Sequence, residues 1–482
     1  MKLLAIDIGA SSGRAMLGEL KDDGLALTEL HRFENAPVEL HGHKHWDIGD
    51  LGAQIYIALA RAGPDVRAVG IDTWGVDYAY LDADGRLIIP PFAYRDDRTQ
   101  GVPERVHRDI PFERIYEITG IQYMPINTIY QMAEDAAARP DVLRSADRML
   151  MMPELLSRLL TGRNAAEYSI ASTSALVDAR ARAWSDELID ALGLPRRLFG
   201  ELHQPGEFRA PVQPEVRSQT GCRADVILAG SHDTASAVAA TPLGDRRAMY
   251  ISSGTWSLAG MELDEPLMTP DARENNFTNE GGVAGKTRFL KNVMGLWLIQ
   301  EMKRLWEAEG DRLSFADICD RAEQAPPFDA LIDPNRERFL APEDMRREVR
   351  DECRRTGQPE PEGVGPLTRT VFESLALAYR ECLDQLRRLT GRPVERVHVV
   401  GGGVRNELLC QMTADACGLP VYAGPVEATA IGNLIVQAIA LGELVDLEAA
   451  REMVGRTFPP REYEPRETDA WLEARERYAA LT

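Results

Sequence analysis

Two short stretches, about half a chain apart, share one design. Leu3 to Leu17 reads LLAIDIGASSGRAML, and Arg247 to Gly260 reads RAMYISSGTWSLAG. Each is an apolar run, a tip of small polar residues and a second apolar run, the pattern of a β-hairpin. The tip GASSGR at 9–14 answers the tip SSGTWS at 252–257. A unit that recurs once across 482 residues constrains the chain to two domains of like design. Each tip offers backbone amides and hydroxyls that can meet a phosphate, and Asp7, at the end of the first strand, can hold a hydrated cation. An ordinary Gly-Ser turn with an incidental Asp would read the same way.

Length supports the division, because a chain of this size exceeds one ordinary core. The expected boundaries are 1–243 and 244–482. Apolar residues make up 44% of the chain, yet no uninterrupted apolar run is long enough to span a bilayer. The opening MKLLAIDIGA carries an early Asp and no cleavage pattern, so the expected location is the cytoplasm. Six cysteines without a C-x-x-C pair fit reduced thiols. The formal net charge of −21 opposes nucleic acid and anionic membranes as partners. A phosphate ligand on such a chain has to be held locally, by backbone N–H groups, helix N-termini or a divalent cation. A monomer or a small homo-oligomer is expected.

Between the two hairpins, Val226 to Ala240 reads VILAGSHDTASAVAA. A buried strand, a turn at Gly230 and the start of a helix place Asp233 at the mouth of a cleft. A simple helix N-cap is the competing account of this Asp. Val66 to Tyr80, VRAVGIDTWGVDYAY, is a strand whose end faces a ligand, with Trp74 available to stack on a sugar ring and Gly75 letting backbone approach its hydroxyls. The histidines of HGHKH at 41–45 are expected in a solvated loop rather than on a metal, before a helix near Asp47 to Ala62. Pro90 to Thr99 and Asn164 to Thr173 read as loops, and the region from Pro111 to Leu160 as mostly helical. GGVAGKT at 281–287 is no P-loop, because Glu280 stands where a Gly is required and no buried strand is expected before it. Val397 to Gly403, VHVVGGG, is a buried strand ending in glycines that let an adenosine approach.

Taken together, AIDIGASSGR, GIDTWGVDY at 70–78, AYRDDRT at 93–99, SHDTASAV at 231–238, SSGTWSL at 252–258, LKNVMGLWLIQ at 290–300 and VVGGGVRNELL at 399–409 resemble the FGGY carbohydrate kinases in the right order along the chain. The resemblance implies an α/β fold of two ribonuclease-H-like domains of the actin superfamily with a ligand cleft between them, the N-terminal domain carrying sugar and base and the C-terminal one the nucleotide. It implies transfer of the γ-phosphoryl of ATP, with Mg²⁺, to a sugar, and within its branch to the C1 hydroxyl of L-rhamnulose. Asp233 then matches the general base. Gly75, His232, Asp233, Thr234 and Asn292 match sugar-contacting positions. Ala10, Ser11, Ser12, Gly13, Arg14, Thr255, Gln300 and Gly402 match ATP-contacting ones; the hydrated cation at Asp7 is read from its place at the strand end. The chain departs from the wider family at Asn127 and Thr128, where a Lys-bearing signature is usual. Kinases of L-fuculose or L-xylulose, and a non-catalytic nucleotide switch of the same superfamily, are the alternatives. A sugar-responsive regulator lacks a DNA-reading module here.

Overall fold

The computed structural model describes every residue from 1 to 482 except Asp23, Asp245, Arg246, Ala341, Glu467 and Thr482, and for Thr468 the backbone alone. The first hairpin pairs β1 (Lys2–Ile8) with β2 (Ser12–Lys21), antiparallel and in register from Lys2↔Glu19 to Ile8↔Gly13. All of β1 beyond Lys2 is buried, which suits only a central strand. It is flanked on its other side by β4 (Val66–Thr73), in parallel, and that pairing sets Asp7 opposite Asp72. The sheet is completed by β3 (Gly24–Glu34), β5 (Arg209–Pro211) and β6 (Asp225–Ile227), in the order β3-β2-β1-β4-β6-β5.

The second sheet repeats this plan. Its strands are β7 (Ala248–Ser253), β8 (Ser257–Leu263), β9 (Thr278–Gly281), β10 (Thr287–Val293), β11 (Arg396–Val400), β12 (Val421–Ala423) and β13 (Arg461–Tyr463). The order β10-β8-β7-β11-β12-β13 follows the first sheet strand for strand, and β9 extends it beyond β10. In both sheets the hairpin is antiparallel, the next two pairings are parallel and the edge pairing is antiparallel. The repeat suspected from two tips is therefore a repeat of a whole sheet.

The chain forms two compact units that are not contiguous in sequence. The first comprises Met1–Pro242, Glu262–Phe289 and Ala428–Thr457, and the second Leu243–Met261, Leu290–Glu427 and Phe458–Thr482. In the first unit, the helix Ile48–Ala62 starts at Asp47, whose carboxylate accepts from Asp50 N, and buries Leu51, Ile55, Ala58 and Leu59 along one face. Its core continues through Leu4, Ile6, Val69, Ile71, Trp46 and Trp74.

Local expectations are revised at four places. HGHKH is no loop: His43–His45 pairs with Val38–Leu40 as a short hairpin, and the buried His45 ring meets the Pro90 carbonyl at 3.0 Å. Asn164 to Thr173 holds a buried strand, Ala166–Glu167, and a buried helix, Tyr168–Ser172. Its polar residues are the ones that satisfy that backbone, since Glu167 accepts from Ser169 N and Ile170 N. A buried strand, β9, does precede GGVAGKT, but a strand rather than a helix follows it, which excludes a P-loop on firmer grounds. Trp74 is 6% exposed, its ring packed tilted against that of Trp46 with centroids 4.2 Å apart, and its indole N–H donates to Asp77. Its face belongs to the core, so it cannot offer a sugar the stacking surface expected of it.

Candidate active site

The end of β4 and the start of the helix Asp233–Ala239 lie side by side in the first unit. Thr73 N donates to Ser231 O at 3.0 Å, and Thr73 and His232 form a parallel bridge. Glu167 fixes this junction from behind, accepting from Ser231 N, while Ser169 Oγ accepts from His232 N. The helix's N-cap position is occupied by His232, whose side chain makes no capping bond. Asp233 therefore does not cap in the usual way. Its Oδ1 accepts from the adjacent Thr234, from the backbone N–H at 2.5 Å and from the hydroxyl at 3.1 Å, and lies 3.4 Å from His232 Nε2; the side chain is 30% exposed.

Three aspartates, Asp7, Asp72 and Asp233, act on one another electrostatically. Asp72 is fully buried, with Oδ2 accepting from Asn433 Nδ2 at 2.5 Å and Oδ1 without a hydrogen-bond partner among the described residues. Burial, then the charge of Asp7, lift its carboxyl well above the ordinary range, with Asp233 adding to them and Asn433 opposing. Asp233 is raised too, first by desolvation and then by Asp7, against the pull of His232 and Thr234. Arg14, across the hairpin, gives Nε and Nη2 to Asp7 Oδ2 at 3.0 and 2.8 Å. These three carboxylates influence one another through charge; carboxylate oxygen is the donor type that suits a hard cation such as Mg²⁺, and Asp7, at its strand end, can face such an ion through water.

The hairpin tip beside these groups is braced for close approach. Gly9 N bonds Ser12 O, Asn35 N donates to Ser11 O, and Asn35 Nδ2 donates to Gly9 O. Ser11 and Ser12 stay exposed, Ala10 is half-buried, and Gly13 has no room for a Cβ beneath the Phe33 ring. Gly75 is half-buried on the loop after β4, where a Cβ would come within 3.1 Å of Thr173. The family departure is absorbed locally: Asn127 sits at a helix N-cap and Thr128 Oγ1 donates to Val76 O at 2.6 Å.

The second unit carries the remaining expected positions. In its hairpin tip, Gly254 N bonds Trp256 O, and Thr255 O and Gly254 O accept from Trp297 N and Leu296 N at the start of the helix Trp297–Ala308. Thr255 Oγ1 also donates to Gln300 Oε1 at 3.2 Å. Beyond β11, Gly401 adopts φ 86°, and Gly403 lies so close that a Cβ would strike Ser253 Oγ, whereas Gly402 is exposed with open space around it. Asn292, on β10, falls in this unit, apart from the other four sugar-matching residues. The expected ATP set is divided likewise, with Ala10 to Arg14 in the first unit and Thr255, Gln300 and Gly402 in the second.

Sequence reasoning met Asp72 as a charge interrupting a strand that faces a ligand and Glu280 as the residue that breaks a P-loop pattern, gave neither a role at the site, and did not name Arg288. Asp72 was visible as a charge inside an apolar strand, the one available signal. Arg288 Nη2 lies 2.8 Å from His232 Nδ1 and 3.0 Å from Glu280 Oε2, a grouping that no local pattern announces.

Comparison with solved structures gives the class first. The fold matches a xylulose kinase from Lactobacillus acidophilus with a TM-score of 0.82 at 15% identity, over 100% of this chain and 97% of that one. It matches glycerol kinase from Plasmodium falciparum with a TM-score of 0.78 at 13% identity, over 100% of this chain and 96% of that one. This is the α/β, two-domain, actin-like fold of the sugar kinases. Residues 2–240 match the N-terminal domain, and 249–441 the C-terminal domain, of the FGGY family of carbohydrate kinases. Over 471 residues, 97% of this chain and 96% of the relative, the sequence is 45% identical to a rhamnulokinase from Bacteroides thetaiotaomicron. It is 40% identical over 472 residues, 96% of each chain, to one from Bacillus subtilis. The chain belongs to the FGGY family of carbohydrate kinases. Among the described residues no helix is long and apolar enough to cross a membrane.

Proposed function

We propose that this kinase transfers the γ-phosphoryl group of ATP to the C1 hydroxyl of L-rhamnulose, giving L-rhamnulose 1-phosphate and ADP. The observation that carries the reading is Asp233, a partly exposed carboxylate at a helix start whose contacts among the described residues are with its chain neighbours His232 and Thr234. The near full-length likeness to proteins named rhamnulokinase supports the choice of sugar.

In this reading Asp233 accepts the C1 hydroxyl proton as O1 attacks the γ-phosphorus. The O1–P bond forms, the bond to the β-phosphate oxygen breaks, and ADP leaves with that electron pair. Gly75, His232, Thr234 and Asn292 orient the sugar. Ser11, Ser12 and the backbone from Ala10 to Gly13 donate to phosphate oxygens, while Arg14 stays aimed through its pairing with Asp7. Thr255, Gln300 and Gly402 hold the nucleotide. Asp7 would hold Mg²⁺ through water, where the ion would supply neutralisation of charge on the phosphates.

An ADP-release assay over a ketose panel tests the assignment. L-Rhamnulose is expected to give the highest kcat/KM, ahead of L-fuculose and L-xylulose by the roughly 1–3 kcal/mol that one hydroxyl orientation or methyl group is worth. A higher value for either competitor would overturn the choice of sugar and leave the kinase class standing.

A further inference from the structure

Beside the proposed base lies a buried chain of charged groups that the phosphoryl-transfer reading does not use. Arg288, at the start of β10, is fully buried, and its Nε donates to Gly281 O at 2.9 Å. Its Nη2 lies 3.0 Å from Glu280 Oε2 and 2.8 Å from His232 Nδ1. A guanidinium carries donors only and does not lose its proton in a protein. At 2.8 Å the ring nitrogen facing it must therefore be a bare acceptor. Glu280 Oε2 is also near Nδ1, at 3.3 Å, but the longer contact yields to the shorter one, and Glu280 already has the Arg288 charge to neutralise. Once Nδ1 is bare, the neutral imidazole has its proton on Nε2, and Nε2 is 3.4 Å from Asp233 Oδ1.

We infer that Arg288, held by Glu280 and the Gly281 carbonyl, fixes His232 as the Nε2–H tautomer and so turns a hydrogen-bond donor toward the Asp233 carboxylate. Arg288 and Glu280 are positioning residues, acting through His232. The opposite tautomer would set a lone pair against the carboxylate. The device also explains why an arginine is buried here: a Lys would supply the charge opposite Glu280 but not the planar pair of donors, Nε to Gly281 O and Nη2 to His232 Nδ1. The tautomer assignment stands independently of the reaction, and its catalytic consequence rests on the reading of Asp233 as base.

The direct test is ¹⁵N NMR of the full chain labelled in its histidine imidazoles, with the His232 signals assigned by loss in His232→Gln. Wild type should show Nδ1 unprotonated and Nε2 protonated at neutral pH, and a protonated Nδ1 overturns the inference. Replacing the pair together, Arg288→Met with Glu280→Leu, avoids leaving one buried charge alone. In that variant His232 should lose its single tautomer, and kcat should fall about ten- to a hundredfold, the usual cost of losing an orienting group, with a smaller change in the KM for sugar. An unchanged tautomer or unchanged kcat in the folded double variant also overturns it. If the double variant does not fold, the wild-type spectrum still decides. Asp233→Asn separates the two readings: near-normal turnover there ends the role of Asp233 as base without touching the spectrum of His232.

Discussion

The two sheets are the same device finished differently. In the first unit the central strands end in carboxylates, Asp7 on β1 and Asp72 on β4, with Asp233 across the bridge between Thr73 and His232. In the second unit the corresponding strands end in Ser253, on β7, and in Gly401 to Gly403, after β11. One sheet gathers negative charge, which can take a proton or face a cation; the other presents hydroxyls and bare backbone, which can line a neutral or anionic ligand without repelling it. A duplicated framework thus leaves chemistry to the residues at the strand ends.

That contrast can be broken at the first unit with the largest effect. Asp233→Asn preserves shape but removes the proton acceptor, so kcat should fall by roughly 10² to 10⁴ while calorimetry still detects sugar and nucleotide. Unchanged turnover would make Asp233 a structural residue. In the second unit, Gly403→Ala should destabilise by roughly 1–3 kcal/mol, because its Cβ would strike Ser253 Oγ. Gly402→Ala meets nothing within 4 Å, so its melting temperature should match wild type and only the KM for ATP should rise. Equal loss of stability in both variants would show that the turn needs glycine throughout.

Acidity sharpens the comparison next. Asp72 and Glu154 are fully buried acids whose pKa values burial raises, Glu154 to about 8. The folded chain then holds protons that the unfolded chain releases above the ordinary carboxylate range. Stability from these groups is complete at low pH and declines as pH rises, for Glu154 between its ordinary value and about 8, by at most about 1.4 kcal/mol per pH unit for each group. Asp72→Asn should flatten that slope in urea titrations between pH 5 and 8, and an identical slope would show Asp72 ionised in the fold. The smallest effect belongs to Thr255→Ala. Losing its bond to Gln300 removes about 1 kcal/mol, read as a several-fold higher KM for ATP.

Local grammar made the hairpins legible, because alternation, a small-residue tip and a second apolar run are all close in sequence. It also placed the strand, turn and helix around Asp233. Trp74 misled because nothing nearby in sequence reveals Trp46, whose ring covers it. Asn433 reaches Asp72 from far along the chain, and Arg288 reaches His232 from the segment that imitates a P-loop. Such contacts are made by topology, which a period of two or 3.6 residues does not carry. Glu167 was hidden for another reason: a polar stretch reads as loop whether it faces water or satisfies buried backbone.

The helix Asp233–Ala239 lies against Ala428–Ala440 so closely that a Cβ on Gly432 would fall 1.7 Å from Ser236 O. The proposed base is thus backed by residues made much later on the ribosome. At about 5–20 residues per second, the intervening stretch of roughly 200 residues takes about 10 to 40 s to synthesise. Throughout that interval Asn433 has yet to reach Asp72 and the flank of this helix that Ala428–Ala440 covers stands open, so the nascent first unit waits unfinished for its last strap, and a chain stalled before residue 428 exposes that flank to chaperones and proteases.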